Sequence, residues 1–129
     1  MTFLNGHWLS FDRLLELEPG KSARAIRNVP NTLAIFDSHF PRQETMPGVL
    51  ILGTMGKVAK HLLEHDDGGV WRLAGGGAIG FRHWVGPGDT MEISVTLKSR
   101  DASEAILTSE VKVDGKLVTR ARKLRMVPE

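Results

Sequence analysis

"GVLILGTMGKVAKHLLEH" (residues 48–65) is the stretch on which the fold turns. Leu50, Met55, Val58, Leu62 and Leu63 recur mostly at steps of three and four residues, the spacing that lines one face of a helix. The first turn and a half is nearly all apolar. Gly53 and Gly56 interrupt it, and each glycine costs about 1 kcal/mol of helix propensity relative to alanine. Such a helix is held by burial rather than by propensity, with its glycines marking where another element approaches closely. It should begin at Gly48 and stop at "HDDGG" (65–69), where glycine ends helices.

Outward from that helix the chain reads as strand. On the N-terminal side, "FDRLLELE" (11–18) and "KSARAIRNV" (21–29) flank Pro19-Gly20, a pair suited to the centre of a type II turn. Residues 30–47 read as a loop punctuated by Pro30, Pro41 and Pro47. On the C-terminal side come "VWRLAGGGAIGFRHWV" (70–85), "TMEISVTLKS" (90–99), "EAILTSEVKV" (104–113) and "KLVTRARKLRMV" (116–127). The second of these alternates Met91, Ile93, Val95 and Leu97 with polar residues, the period of two of a half-buried strand. Asp114-Gly115 between the last two is a strong hairpin turn. One buried helix against one antiparallel sheet of about six strands is an α+β layer. The sheet's edges need covering, and dimerisation would do so.

Composition narrows the function. The 129 residues suit a single domain, 1–129, and are 41% hydrophobic and 25% charged, ordinary for a globular protein. The absence of cysteine excludes disulfides and thiolate catalysis. The longest aliphatic run, "VLIL" (49–52), is far below the ~20 residues a membrane span needs. The first residues lack a basic stretch followed by an apolar one, so no signal peptide is expected and a cytoplasmic location is. A net charge of +2 is too mild to argue for nucleic acid, though it allows a local basic patch.

"HFPRQETMPGVLIL" (39–52) resembles the signature of the 3-hydroxyacyl-acyl carrier protein dehydratases, a hot-dog family. "DRLLELEPGK" (12–21), "FRHWVGPGD" (81–89) and "VDGKLVTRA" (113–121) are similar to that family's first hairpin, its Phe-Arg segment and its last hairpin. The likeness covers most of the chain from about residue 11. It implies a six-stranded sheet wrapped around a central helix, and a dimer with active sites at the subunit interface. It implies a phosphopantetheine-borne acyl substrate, an acyl carrier protein as partner, and no cofactor or metal of the protein's own.

The chemistry has a physical counterpart in the residues. Dehydration removes a weakly acidic proton from C2 and expels hydroxide from C3, which a base and an acid together achieve. His39 is the natural base, since imidazole titrates near neutrality, and it matches the family's catalytic histidine. Pro41 and Pro47 stiffen its loop. Gly48 opens the helix, where backbone N–H groups stabilise developing negative charge; in the family this glycine's amide binds the thioester carbonyl. By the same resemblance, Phe40, Pro47, Val49, Gly77, Phe81 and Trp84 are expected to line the acyl substrate. Arg82, Arg120 and Arg122 are expected to dock the acidic carrier.

The acid is where the chain departs from the family, which carries Glu or Asp at the position of Gly53. Nearby substitutes are Glu44, in the loop where the family tends to have proline, Lys57, one turn beyond Gly53, and Glu64, 11 residues further on. A solvated loop carboxylate and an outward-snorkelling lysine are the plainer readings of the first two. In the family each site pairs the histidine of one subunit with the acid of its partner's helix. A homodimer of this chain would then have two sites lacking an acid, whereas a heterodimer with a related subunit would have one working site, with His39 from this chain and a carboxylate from the partner, and that shared site is the expectation. A non-catalytic scaffold or acyl-binding subunit, or a thioesterase or isomerase on the same fold, are the alternatives. Two further departures, "GGGAIG" (75–80) before Phe-Arg and Trp84 in place of a proline, point to altered acyl specificity.

Other patterns are set aside. Gly75-x-Gly77-x-x-Gly80 matches a dinucleotide fingerprint only formally, because it lies inside a strand pattern rather than before a helix. His61 and His65 have metal-ligand spacing, yet cationic side chains at a helix C-terminus explain them as well. Arg120, Arg122, Lys123 and Arg125 make the final strand basic, as a solvated edge or a docking strip. Trp71 and Trp84 are expected to be packing residues.

Overall fold

The computed structural model describes residues 11–29, 48–67 and 69–129. Strands β1 (Arg13–Glu18) and β2 (Ser22–Asn28) precede helix α1 (Gly48–Asp67). Strands β3 (Trp71–Phe81), β4 (Thr90–Arg100), β5 (Ala105–Val113) and β6 (Lys116–Pro128) follow it. They form one six-stranded sheet in the order β1-β2-β4-β5-β6-β3, every pair antiparallel.

Local sequence explains the elements. Gly20, at φ 74°, supplies the positive angle of the Pro19-Gly20 turn between β1 and β2. Asp114 and Gly115, at φ 52° and 79°, are both left-handed, as a tight type I′ hairpin requires. The period-two patterns place Ala23, Ala25 and Val29, Met91, Ile93 and Val95, and Ala105, Leu107 and Val111 in the core. Facing them, Leu50, Ile51, Met55, Val58, Ala59, Leu62 and Leu63 of α1 are all buried. Register shifts in β1, β3, β4 and the β5–β6 pair bend the sheet, as bulges do, and so let it wrap one helix.

Two expectations are corrected. The strand expected over 70–85 ends at Phe81. The chain then turns through Gly86–Asp89, where the Gly86 N–H donates to the Asp89 carboxylate at 2.9 Å. The basic final strand is not an edge: β6 lies between β5 and β3, and the edges are β1 and β3. Hydrogen-bond partners on both sides, not charge, determined its place, with Arg120 and Arg125 turned outward onto Glu110 and Glu104.

Ala78, in the glycine-rich part of β3, has φ 51°. A Cβ in that region costs about 1 kcal/mol. Ala78→Gly should therefore raise stability by about 1 kcal/mol, read as an increase in the midpoint of thermal or urea unfolding.

Candidate active site

Helix α1 begins at Gly48 and has no acidic residue in its first turn, so no carboxylate of that turn offsets the positive end of its dipole. Gly48 is there for close approach. A Cβ at this position would stand 2.9 Å from Cζ of Phe81, so the last residue of β3 lies against the start of the helix. Phe81 nevertheless leaves 51% of its surface exposed. About two turns further on, a Cβ at Gly56 would meet Leu73 at 3.3 Å. The glycines thus let the helix lie close against β3 at two points.

The segment after β3 is fastened beside the same end of the molecule. Val29 donates its N–H to the Asp89 carbonyl at 2.9 Å, and the Gly88 N–H donates to the Val29 carbonyl at 2.7 Å. The Gly-Pro-Gly-Asp turn is therefore tied to Val29, at the end of β2. His39 itself, with Phe40, Glu44 and Pro47, lies outside the described residues. Val49 is in the first turn of α1, its side chain likewise outside the description.

Gly53 is half-buried in the second turn. It borders a mainly apolar depression of about 220 Å³ formed with Gly56, Lys57, Lys60, Trp71, Arg72, Leu73, Met126 and Glu129. Lys60 is engaged: it pairs with Glu64 and donates to the Trp71 carbonyl at 3.1 Å. The Glu64 carboxylate also accepts the Trp71 N–H at 2.8 Å. Glu64 thereby clasps the C-terminal half of α1 to the start of β3, which removes it as a substitute acid.

The remaining expected site residues are dispersed. Gly77 lies in β3 opposite Lys123. Trp84 lies beyond β3 and is 69% exposed, which corrects its expected packing role; Trp71 is buried at 4%, with the Arg100 guanidinium 4.9 Å above its ring. Arg82 is exposed, and its N–H donates to the Val118 carbonyl at 2.7 Å. Arg120 holds Glu110 through Nε and Nη2, at 2.8 and 2.6 Å. With Arg122, Lys98, Ser94, Thr96 and Thr108, that pair borders a depression of about 260 Å³ on the outer face of the sheet. His61 stands edge-on to Phe11 with ring centroids 5.7 Å apart. Among the described residues no three His, Asp or Glu side chains gather as metal ligands would. Gly75, Gly77 and Gly80 lie within β3, without the strand-to-helix turn that a dinucleotide fingerprint needs.

Sequence reasoning missed a buried polar pair. Arg27, on the inward face of β2, is 5% exposed and donates through Nη1 to Thr54 Oγ1 at 2.8 Å. Thr54 in turn donates to the Leu50 carbonyl at 2.9 Å. Burial pushes the pKa of Arg27 below its usual value, and the Asp12 carboxylate opposes that; the guanidinium stays cationic all the same. The alternation Ala23, Ala25, Arg27, Val29 already placed this arginine inward. Thr119, opposite Phe81 in the β3–β6 ladder, is also buried, and its hydroxyl has no partner among the described residues.

A long helix enclosed by a curled six-stranded antiparallel sheet defines a hot-dog fold. Several solved structures share this architecture. The dehydratase heterocomplex ApeI:P from Xenorhabdus doucetiae matches with a TM-score of 0.72 at 14% identity, over 92% of this chain and 82% of that one. The smu.793 protein of Streptococcus mutans, solved with acetyl CoA, matches with a TM-score of 0.72 at 14% identity, over 91% and 87%. Zebra fish thioesterase superfamily member 2 matches with a TM-score of 0.69 at 14% identity, over 89% and 78%. At those identities the likeness establishes the fold alone.

Sequence establishes the family. Residues 4–122 match the FabA-like domain. The 3-hydroxyacyl-[acyl-carrier-protein] dehydratase FabZ of Shewanella woodyi is 36% identical over 128 residues, 94% of this chain and 84% of that protein. FabZ of Latilactobacillus sakei is 39% identical over 110 residues, 83% and 79%. The chain belongs to the FabA-like domain family.

Thr54→Val removes the one side-chain hydrogen bond that Arg27 makes among the described residues. The buried charge should then lower stability by about 1.5–3 kcal/mol, the usual worth of a hydrogen bond to a charged group, measured by urea unfolding.

Proposed function

We propose that this chain dehydrates 3-hydroxyacyl groups carried on acyl carrier protein, as a hydro-lyase of fatty-acid or related acyl synthesis. The observation that carries the reading is the match to FabZ dehydratases along nearly the whole chain, at 36% identity over 128 residues. The geometry is consistent with it: α1 opens at Gly48 with no acidic residue in its first turn, nine residues after His39 in the sequence.

In this reading His39 takes the C2 proton. The Gly48 amide receives the charge that builds on the thioester oxygen, where a preorganised donor is most effective. The C3–O bond breaks as the C2=C3 bond forms, and the oxygen leaves as water once it gains a proton. The phosphopantetheine arm is part of the substrate, and no further cofactor is invoked. Phe40, Pro47, Val49, Phe81 and Trp84 line the acyl chain, with Gly77 further along β3. Exposed Arg82 and Arg122, with the Arg120–Glu110 pair, offer a basic outer surface to an acidic carrier.

The site is completed across a subunit boundary. Strand β3 is an edge of the sheet among the described residues, beside Gly48 and Gly56, and a second subunit joined there would bring its helix to His39 of the first. The second subunit is either another copy of this chain or a related dehydratase-like chain; the ApeI:P complex is described as a dehydratase heterocomplex. The protein works in the cytoplasm.

The purified chain, alone and mixed with a related dehydratase-like subunit, should convert a 3-hydroxyacyl carrier-protein substrate to the enoyl product, followed by mass spectrometry. His39→Ala should lower the rate by about 10²–10⁴-fold, the usual worth of a general base. Release of free carrier thiol instead of enoyl product would identify a thioesterase. Unchanged activity of the His39→Ala mixture would reduce this chain to a scaffold.

A further inference from the structure

The proton donor is the part of the site that the family's residue pattern does not supply. We propose that Lys57 takes the place of the absent carboxylic acid and protonates the departing hydroxyl. The inference rests on the dehydratase reading above.

Three observations carry it. First, Gly53 and Lys57 are four residues apart, hence on one face of α1, and they border the same depression of about 220 Å³. Second, helical side chains lean toward the N-terminus and cover the preceding turn. Position 53 thus lies in the turn that a side chain at residue 57 covers, and glycine there offers no side chain to obstruct it. One turn is about 5.4 Å of axis, a gap that the longer side chain helps to close. Third, among the described residues Lys57 takes part in no hydrogen bond or ion pair.

The other polar groups bordering the depression are poorer donors. Lys60 is held by Glu64 and the Trp71 carbonyl. Arg72 carries a guanidinium that does not release its proton in proteins. Glu129 remains as the competing donor and enters the test.

The chemistry favours an ammonium in one respect. A carboxylic acid holds its proton at neutral pH only when its surroundings raise its pKa, whereas an alkylammonium is protonated there by default. The balance is complete. The C2–H proton passes to His39, and that electron pair forms the C2=C3 bond. The C3–O electron pair leaves with oxygen, and one ammonium proton converts it to water. The imidazolium then returns its proton to the lysine amine through solvent.

Leaving-group chemistry tests this in whichever assembly is active, the chain alone or the mixture. The 3-hydroxyacyl substrate needs a proton donor. A 3-fluoroacyl substrate, which loses fluoride as a stable anion, depends on one far less. Lys57→Met should lower dehydration by about 10²-fold or more, the usual worth of a general acid, and change fluoride elimination only a few-fold. Restoring a carboxyl group in the double variant Gly53→Glu/Lys57→Met should recover much of the lost dehydration. Glu129→Gln should dehydrate like the parent chain.

Parent-like dehydration by Lys57→Met would overturn the proposal. So would an equal fall in both reactions without recovery in the double variant, in a protein whose thermal unfolding is unchanged. Transfer of the loss to Glu129→Gln would overturn it in favour of that carboxylate. If the unsubstituted assembly eliminates neither water nor fluoride, the dehydratase reading itself fails, and the donor assignment with it.

Discussion

Helix α1 must be dry, because it is the one helix among the described residues that fills the concave face of the sheet. α1 touches β2, β3, β4, β5 and β6 and buries Leu50, Met55, Val58, Leu62 and Leu63 completely. Each such side chain contributes roughly 1.5–3 kcal/mol on leaving water, far more than the two helix-interior glycines remove at about 1 kcal/mol apiece. Burial therefore fixes the axis of the helix and, with it, where its N-terminus opens. Register shifts in the strands bend the sheet to that axis. The Glu64 clasp on Trp71 and the contact between Gly48 and Phe81 hold β3 against the two halves of the helix. The candidate site lies where the opening of the helix and the end of β3 come together.

Most of this was legible because apolar burial, the strongest force on the chain, leaves a plain periodic trace in the residues. The three-and-four spacing of Leu50 to Leu63, the alternation from Met91 to Leu97, and the Pro19-Gly20 and Asp114-Gly115 turns all lie where the elements do. Other features depended on partners that are remote in sequence. The place of β6 inside the sheet is set by hydrogen bonding to β3, some forty residues earlier, so its arginines read as an edge. The end of β3 at Phe81 follows from the tether between Val29 and Gly86–Asp89, which no local pattern announces. Arg27 was visible as an inward position, but its neutral partner Thr54 lies on another element. Of the candidate site, Gly48, Gly53 and Lys57 fall on the helix that the periodicity defined, whereas the place of His39 lies outside the described residues.

Arg27 and Thr54 bear on how the helix is seated. A buried guanidinium that donates to a hydroxyl is weak evidence for stability, because the desolvation of the charge opposes the bond it makes. It does supply direction. Only one rotation of α1 brings Thr54 over Arg27 while keeping Leu50 and Val58 in the core, so the pair opposes a helix turned about its axis. That rotation is also the one that leaves Gly53 and Lys57 bordering the depression beside β3 rather than buried against β2.

Position on a helical face and side-chain identity are separable requirements for a proton donor. A family that fixes a carboxyl group in the second turn of this helix defines a place in space, and any side chain that reaches it with a proton can serve. Side chains that lean toward the N-terminus make the residue one turn later a natural substitute, and glycine at the earlier position clears its path. In the donor assignment proposed above, glycine at residue 53 and lysine at residue 57 act together. A chain with its own donor has no intrinsic need of a carboxylate from a different partner, so two identical subunits could each complete the other's site.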